Sequence, residues 1–410
     1  MEKKVVRNTL FLTSANLLAR AIGFLSFIFL GRILGVTAFG HYNFALALVY
    51  NFYPVADFGI ERVILRDLAK DSARAQEYFQ KLLPLRFLMA FASLILAIVL
   101  GFVLGKNGID SLNVFIFGFC LFSWNITQLV AGIGNAFEKM EIQSFLAVLL
   151  SVLKMIFEIF IAFYWRNVSL VLVGDVIGSI LVLLVALRLS QKINLKFKIE
   201  VDLRFWKKVL SESWVFASIM ILAVIYLRSS VMMVNYIKGA YFTGLYSSAF
   251  KFVEASILIP QSFALALFPQ TARLLVSDKK KLLGNYFNSL AIIFGFSIIY
   301  ALFFYFFSPL IIKIAYGPDY LGAVPGMKIL AFASIFFFLN VLPGNVIQNS
   351  TKVKNFLVYA LLNLVLVFIF GIMLIPRYSI EGAAWAVLLA EILGFVINNA
   401  FVWKILRESD

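Results

Sequence analysis

The chain has 410 residues, 62% of them hydrophobic and 14% charged. A water-soluble domain carries about 25% charged residues, and a chain of this size cannot hide so much apolar surface in one aqueous core, so lipid must be part of its solvent. A single cysteine, Cys120, and a single histidine, His41, exclude a disulfide framework and a Cys- or His-based metal centre.

Apolar segments of membrane-spanning length begin near residues 8, 39, 87, 112, 143, 168, 212, 242, 285, 326, 355 and 381. The expected fold is therefore all-α and integral to a membrane, with about 12 transmembrane helices. The first segment is too long for a signal peptide, carries Arg20 at its centre and lacks a small-residue cleavage site, so it is expected to stay attached. With the N-terminus in the cytoplasm, 25 Lys and Arg residues fall on that side, including Lys3, Lys4, Arg7, Lys139, Lys196, Lys198, Lys352 and Lys354. The opposite side receives six: Arg32, Lys106, Arg166, Lys238, Lys313 and Arg377. This positive-inside asymmetry absorbs most of the net charge of +15, leaves no role for nucleic acid, and predicts a multi-pass protein of the cytoplasmic (inner) membrane with both termini inside.

Loops are short except for a basic linker at the midpoint. Its alternation and late Trp206 fit either an amphipathic segment on the inner surface or a solvated connector. The chain accordingly divides into an N-terminal six-helix bundle (1–190), a cytoplasmic linker (191–208) and a C-terminal six-helix bundle (209–410). Gly40-His-Tyr42-Asn-Phe-Ala45 recurs as Gly244-Leu-Tyr246-Ser-Ser-Ala249, and at the same offset Ile33 matches Ile237, Gly35 matches Gly239 and Val49 matches Val253. An even number of helices per repeat inserts both halves the same way up. That predicts a pseudo-two-fold along the membrane normal with a substrate site between the halves.

Charges inside a membrane are costly and are functional candidates. Near mid-depth stand Arg20, Lys154, Glu158, Asp175, Arg228, Lys251, Glu254 and Glu391. On the first helix Thr13, Asn16, Arg20 and Gly23 share a face about 80° wide. Lys154 and Glu158 share one on the fifth helix with Ser144 and Ser151, as do Lys251, Glu254, Gly244 and Ser247 on the eighth. The second helix carries Asn43 and Asn51 on the equivalent face. Such stripes suit a hydrated cavity, and an arginine fork suits phosphate oxygens. The substrate-binding candidates are Arg20, Arg228, Lys154, Lys251, Asn16 and Asn43; those for coupling are Asp175, Glu391, Glu158 and Glu254. The alternative for Glu158 and Glu254 is simple pairing with Lys154 and Lys251 four and three residues away. Arg20 and Arg228 have no acid at such spacing. Pro54 and Pro260 are read as ordinary kinks or gate hinges. The chain lacks a phosphate loop, a nucleotide motif and a soluble domain with paired catalytic carboxylates, so neither an enzyme nor a cofactor is expected.

Three stretches resemble a known family: Arg32-Ile-Leu-Gly35 with Phe39-Gly40-His-Tyr42, Asp57-Phe-Gly59 and Arg66; Gly244-Leu-Tyr246 through Lys251 to Leu267-Phe-Pro269; and Tyr316-Gly317-Pro-Asp-Tyr320, Asn363, Ile375-Pro376 and Gly382-Ala-Ala384. Their order and spacing resemble Wzx-type polysaccharide-biosynthesis flippases, within the superfamily of multidrug exporters and lipid II flippases. The resemblance implies two facing six-helix bundles, and alternating access that moves a polyprenyl-diphosphate-linked oligosaccharide outward. It implies that lipid-linked substrate and membrane lipid as partners, with polysaccharide polymerase machinery beside them. A basic lumen would fall on Arg20, Lys154, Arg228 and Lys251 by location. The acids opposing these cations depart from a purely cationic lumen and keep a cation-coupled multidrug-type exporter as the alternative.

Overall fold

The computed structural model describes residues 2–193, 195–350 and 353–407, and among them every regular element is a helix. Lys352, and the side chains of Lys3, Lys4, Arg7 and Lys354, on which part of the charge count rests, lie outside the described residues. Among the described residues, ten stretches are long and apolar enough to cross a membrane. The protein is thus a multi-pass, all-helical membrane protein.

Ten differs from twelve for two physical reasons. Helix α1 (Glu2–Leu34) is followed by α2 (Val36–Asp57), which has the length of a span but carries His41, Asn43, Asn51 and three tyrosines. Sixteen of its 22 residues are buried in protein, so it faces side chains more than lipid and needs less hydrophobicity. At the other end of the chain, the two segments expected from 355 and 381 form one helical stretch. It is broken by the non-helical backbone of Ser379 (φ 51°, ψ −122°).

Contacts divide the chain into two compact units, Met1–Val224 and Ile225–Asp410. In the first, α2 gives way at Phe58 and Gly59, both left-handed, to a short amphipathic helix α3 (Ile60–Lys70). Gly59 is required there: its φ is +66°, and an added Cβ would lie 3.0 Å from the backbone nitrogen of Ala217. Helices α4 (Ala75–Leu104), α5 (Gly108–Gly118), α6 (Cys120–Ala136), α7 (Met140–Trp165) and α8 (Val168–Lys192) complete the bundle, with α1 on α7, α2 on α4, and α6 on both α4 and α8.

The midpoint linker is an extended strap rather than a surface helix. Lys196 N–H donates to Gln76 Oε1 (2.8 Å), Gln76 Nε2 returns a bond to Lys196 O (2.8 Å), and Glu200 N–H reaches Gln80 O (3.3 Å). Trp206 is buried, its indole N–H donating to Lys81 O at 2.7 Å. The alternation survives as a row of exposed Phe197, Ile199, Val201 and Leu203. Helix α9 (Leu203–Lys238) begins at the end of the strap, and the boundary between the units falls inside it.

The second unit continues with α10 (Ala240–Ser256), α11 (Leu258–Ser277), α12 (Lys279–Ala315), α13 (Val324–Asn349) and α14 (Val353–Arg407); α13 is central, packing on α10, α11, α12 and α14. Pro260 lies in the first turn of α11, where the missing N–H costs no helical hydrogen bond, so it is no mid-helix kink. The predicted Gly35–Gly239 match has a backbone counterpart. Both glycines precede their helix with positive φ and extended ψ (76°, 168° and 90°, −179°), a region essentially restricted to glycine.

Candidate functional site

The mid-depth charges fall into separate groups. In the first unit, the i, i+4 spacing on α7 brings Lys154 Nζ to 3.6 Å from Glu158 Oε1, and α8 adds Asp175 Oδ2 at 3.5 Å from the same nitrogen. Tyr42, from buried α2, donates its hydroxyl to Glu158 Oε1 (2.6 Å) and lies 3.4 Å from Asp175 Oδ2. Ser26 of α1 donates to Glu158 Oε2. Glu158 and Asp175 are 4% and 0% exposed, and Asp175 Oδ1 has no hydrogen-bond partner. Two carboxylates thus share one ammonium, leaving one formal negative charge in surplus within this group.

The second unit holds another group, with two cations on one carboxylate. Arg228 on α9 donates from Nη2 to Glu254 Oε1 at 2.6 Å, and Lys251 donates to Glu254 Oε2 at 3.0 Å. Arg228 therefore has a cross-helix acid that no on-helix spacing revealed. Two cations surround one carboxylate, and all three side chains keep 21–23% of their surface accessible.

Glu391 stands apart from both. It accepts hydrogen bonds from the Tyr226 hydroxyl and from Asn340 Nδ2 (2.6 Å), and Asn398 supports Asn340 at 3.2 Å. These partners are neutral, and among the described residues no Lys or Arg pairs with this buried carboxylate.

Arg20 and Asn16 are exposed on α1, and among the described residues Arg20 has no ion pair. Asn43 is buried and donates to Phe39 O of its own helix at 2.7 Å. The structure thus joins Lys154, Glu158 and Asp175 in one group and Arg228, Lys251 and Glu254 in another. Arg20, Asn16, Asn43 and Glu391 belong to neither.

Sequence reasoning missed one buried ionic site. Arg86 sits inside α4 and is fully buried. Its Nη1 donates to Asp57 Oδ1 (2.5 Å) and Asn125 Oδ1 (2.6 Å), while Asp57 Oδ2 accepts the Gly59 N–H (3.0 Å). The available signal was the Asp57-Phe-Gly59 motif, whose acid lay at the end of an apolar helix with no local cation. At the α3 surface, Glu61 is raised above the ordinary carboxylate range by burial, partly opposed by its bond from Gln128.

Long apolar helices with charged groups tied together inside their bundles define a polytopic membrane protein. The chain belongs to the polysaccharide biosynthesis protein family, which it matches over residues 5–275. It is 22% identical over 407 residues to the capsular polysaccharide biosynthesis protein CapF of Staphylococcus aureus, covering 98% of this chain and 100% of that one. Its fold is similar to lipid II flippase MurJ in an inward closed conformation (TM-score 0.78, 17% identity, 97% of this chain and 89% of that chain). It is also similar to an inward-facing multidrug resistance MATE family transporter of the MOP superfamily (TM-score 0.71, 13% identity, 98% and 99%). The chain has the fold of these transporters.

Proposed function

We propose that this protein is a flippase that carries a polyprenyl-diphosphate-linked oligosaccharide outward across the cytoplasmic membrane by alternating access. In this reading two six-helix bundles, 1–190 and 209–410, move about the linker at 191–208. The observation that carries the reading is the partly exposed Arg228–Lys251–Glu254 group, where two cations converge and the arginine fork suits a diphosphate. Arg20, exposed and without an ion pair among the described residues, is the second anion-binding candidate. Membership of a polysaccharide-synthesis family and a fold similar to a lipid II flippase support the same substrate class.

The Lys154–Glu158–Asp175 group and Glu391 are candidates for coupling. A surplus carboxylate charge within a bundle is balanced by taking up a proton or a small cation, and losing it reverses the change. The same observation favours a second reading, a cation-coupled multidrug-type exporter. The two separate in proteoliposomes. A flippase moves a labelled polyprenyl-diphosphate oligosaccharide and ignores lipophilic organic cations; export of the cations without lipid movement would reject the flippase.

A further inference from the structure

The first unit contains a cavity of about 230 Å³ between α2, α6, α7 and α8. Its lining is neutral: none of the twelve residues carries a formal charge. One wall is an aromatic platform. Tyr50 stacks on Trp124 with centroids 5.1 Å apart and planes 10° apart, and Tyr53 meets the same indole edge-on at 6.2 Å. The lining also carries two amides whose hydrogen bonds leave opposite halves available. Gln128 donates Nε2 to Glu61, which leaves its carbonyl oxygen as an acceptor; Gln143 accepts from Asn135 at Oε1, which leaves its NH₂ as a donor.

A purely aliphatic guest would leave those donors and acceptors unmet, and an anion would meet no formal charge on the lining itself. A pyranose ring has apolar C–H faces that suit an aromatic platform and a hydroxyl or acetamido edge that both gives and takes hydrogen bonds. A mostly apolar recess with a few convergent polar groups is the usual form of a small-molecule site. We infer that this cavity is a subsite for one neutral sugar ring, of hexose or N-acetylhexosamine type, in the carried glycan. The inference rests on the oligosaccharide reading above. It divides recognition between a sugar pocket within the first unit and a diphosphate group at Arg228. The cavity lies toward the α6–α7 turn at Lys139, on the side that loop charge assigns to the cytoplasm, where the substrate is loaded.

The test uses the full chain in nanodiscs with three probes. The first is a diazirine-bearing N-acetylhexosamine glycoside, with adducts mapped by mass spectrometry. The others are a polyprenyl diphosphate carrying one N-acetylhexosamine and the same polyprenyl diphosphate without sugar. Label should fall on α2, α6 or α7 around Trp124, be displaced by excess free sugar, and drop about tenfold in Gln143→Leu, the worth of one hydrogen bond. Gln143→Leu should lower affinity for the sugar-bearing lipid by the same factor and leave the bare carrier unaffected. Trp124→Leu should behave alike, with melting temperature checking that either variant is folded. Label elsewhere, label displaced by a long-chain alcohol but not by sugar, or wild-type sugar preference in both folded variants would overturn the subsite. Failure of the wild-type chain to bind either polyprenyl diphosphate, with the sugar label intact at Trp124, would instead overturn the flippase reading and leave the sugar site standing.

Discussion

Arg86 donates from Nη1 to Asp57 at 2.5 Å with both side chains buried, and the other oxygen of that carboxylate holds the Gly59 N–H at the elbow between α2 and α3. One ion pair therefore joins α4 to the point where a buried helix turns into a surface helix. Removing either partner leaves a buried charge uncompensated, which costs about 3–5 kcal/mol. Arg86→Leu and Asp57→Ala should each lower the melting temperature in detergent markedly, and the double variant should recover part of the loss. A double variant as unstable as the sum of the singles would show that the two residues act independently.

In the second unit, Arg228→Ala should reduce flipping of a polyprenyl-diphosphate oligosaccharide by roughly ten- to hundredfold, the range of one charge-assisted hydrogen bond. Arg228→Lys should recover it only in part, because bidentate geometry is lost. Glu254→Gln should tighten binding of the carrier, since it removes the one negative charge between Arg228 and Lys251. Weaker carrier binding in Glu254→Gln would assign the carboxylate a direct role. Arg20→Ala should impair transport without affecting the melting temperature, as expected of an exposed side chain.

The strap at 195–202 should loosen in acid. Asp202 lies below the ordinary Asp range because the Phe205 N–H and the Lys81 ammonium, 2.9 Å away, favour its charged form. A depressed carboxylate adds stability above the unfolded value of about 3.9, and that stability is lost as pH falls through the lower folded value. Cleavage within 195–202 by an acid-tolerant protease should therefore rise as pH drops below about 4. Asp202→Asn should already show the raised rate at neutral pH. A cleavage rate in Asp202→Asn equal to wild type at neutral pH would place the strap's hold elsewhere, in its bonds to Gln76 and Gln80.

Loop charge predicts that Lys139 and Lys196, both exposed, face the cytoplasm. Cysteines at either position should resist an impermeant thiol reagent in intact cells. Asn107, exposed in the loop before α5, should react as cysteine. Asp110 is unsuitable as a reporter because it is buried against His41 at 2.6 Å. Native Cys120 is buried and should give little background. Labelling at Lys139→Cys and Lys196→Cys alone would invert the topology.

A substrate with about two negative charges leaving a negative-inside vesicle gains roughly 2.3 kcal/mol per charge per 100 mV if it crosses the whole field. Outward flipping should therefore accelerate with an interior-negative potential and no ion gradient. Indifference to potential, with strict dependence on a Na⁺ or H⁺ gradient, would move the driving force to the Glu158–Asp175 group or to Glu391. Asp175→Asn and Glu391→Gln would then separate the two, since each removes one candidate charge.

Membrane class and helical content were legible in the sequence because each depends on composition or on residues close together in the chain. The Gly35–Gly239 joint was legible for a related reason: positive φ with extended ψ selects glycine locally, so a repeated backbone break leaves a repeated letter. Lys154–Glu158 and Lys251–Glu254 were visible because helical spacing of four and three places each pair on one face. Tertiary structure alone decided that Asp175 joins the first pair and Arg228 the second, that Tyr42 and Ser26 bind Glu158, and that Arg86 is buried on Asp57. Those partners sit on different helices, 21 to 132 residues apart. Their meeting is set by how each helix rotates and slides against its neighbours, and a helix's own periodicity does not record that.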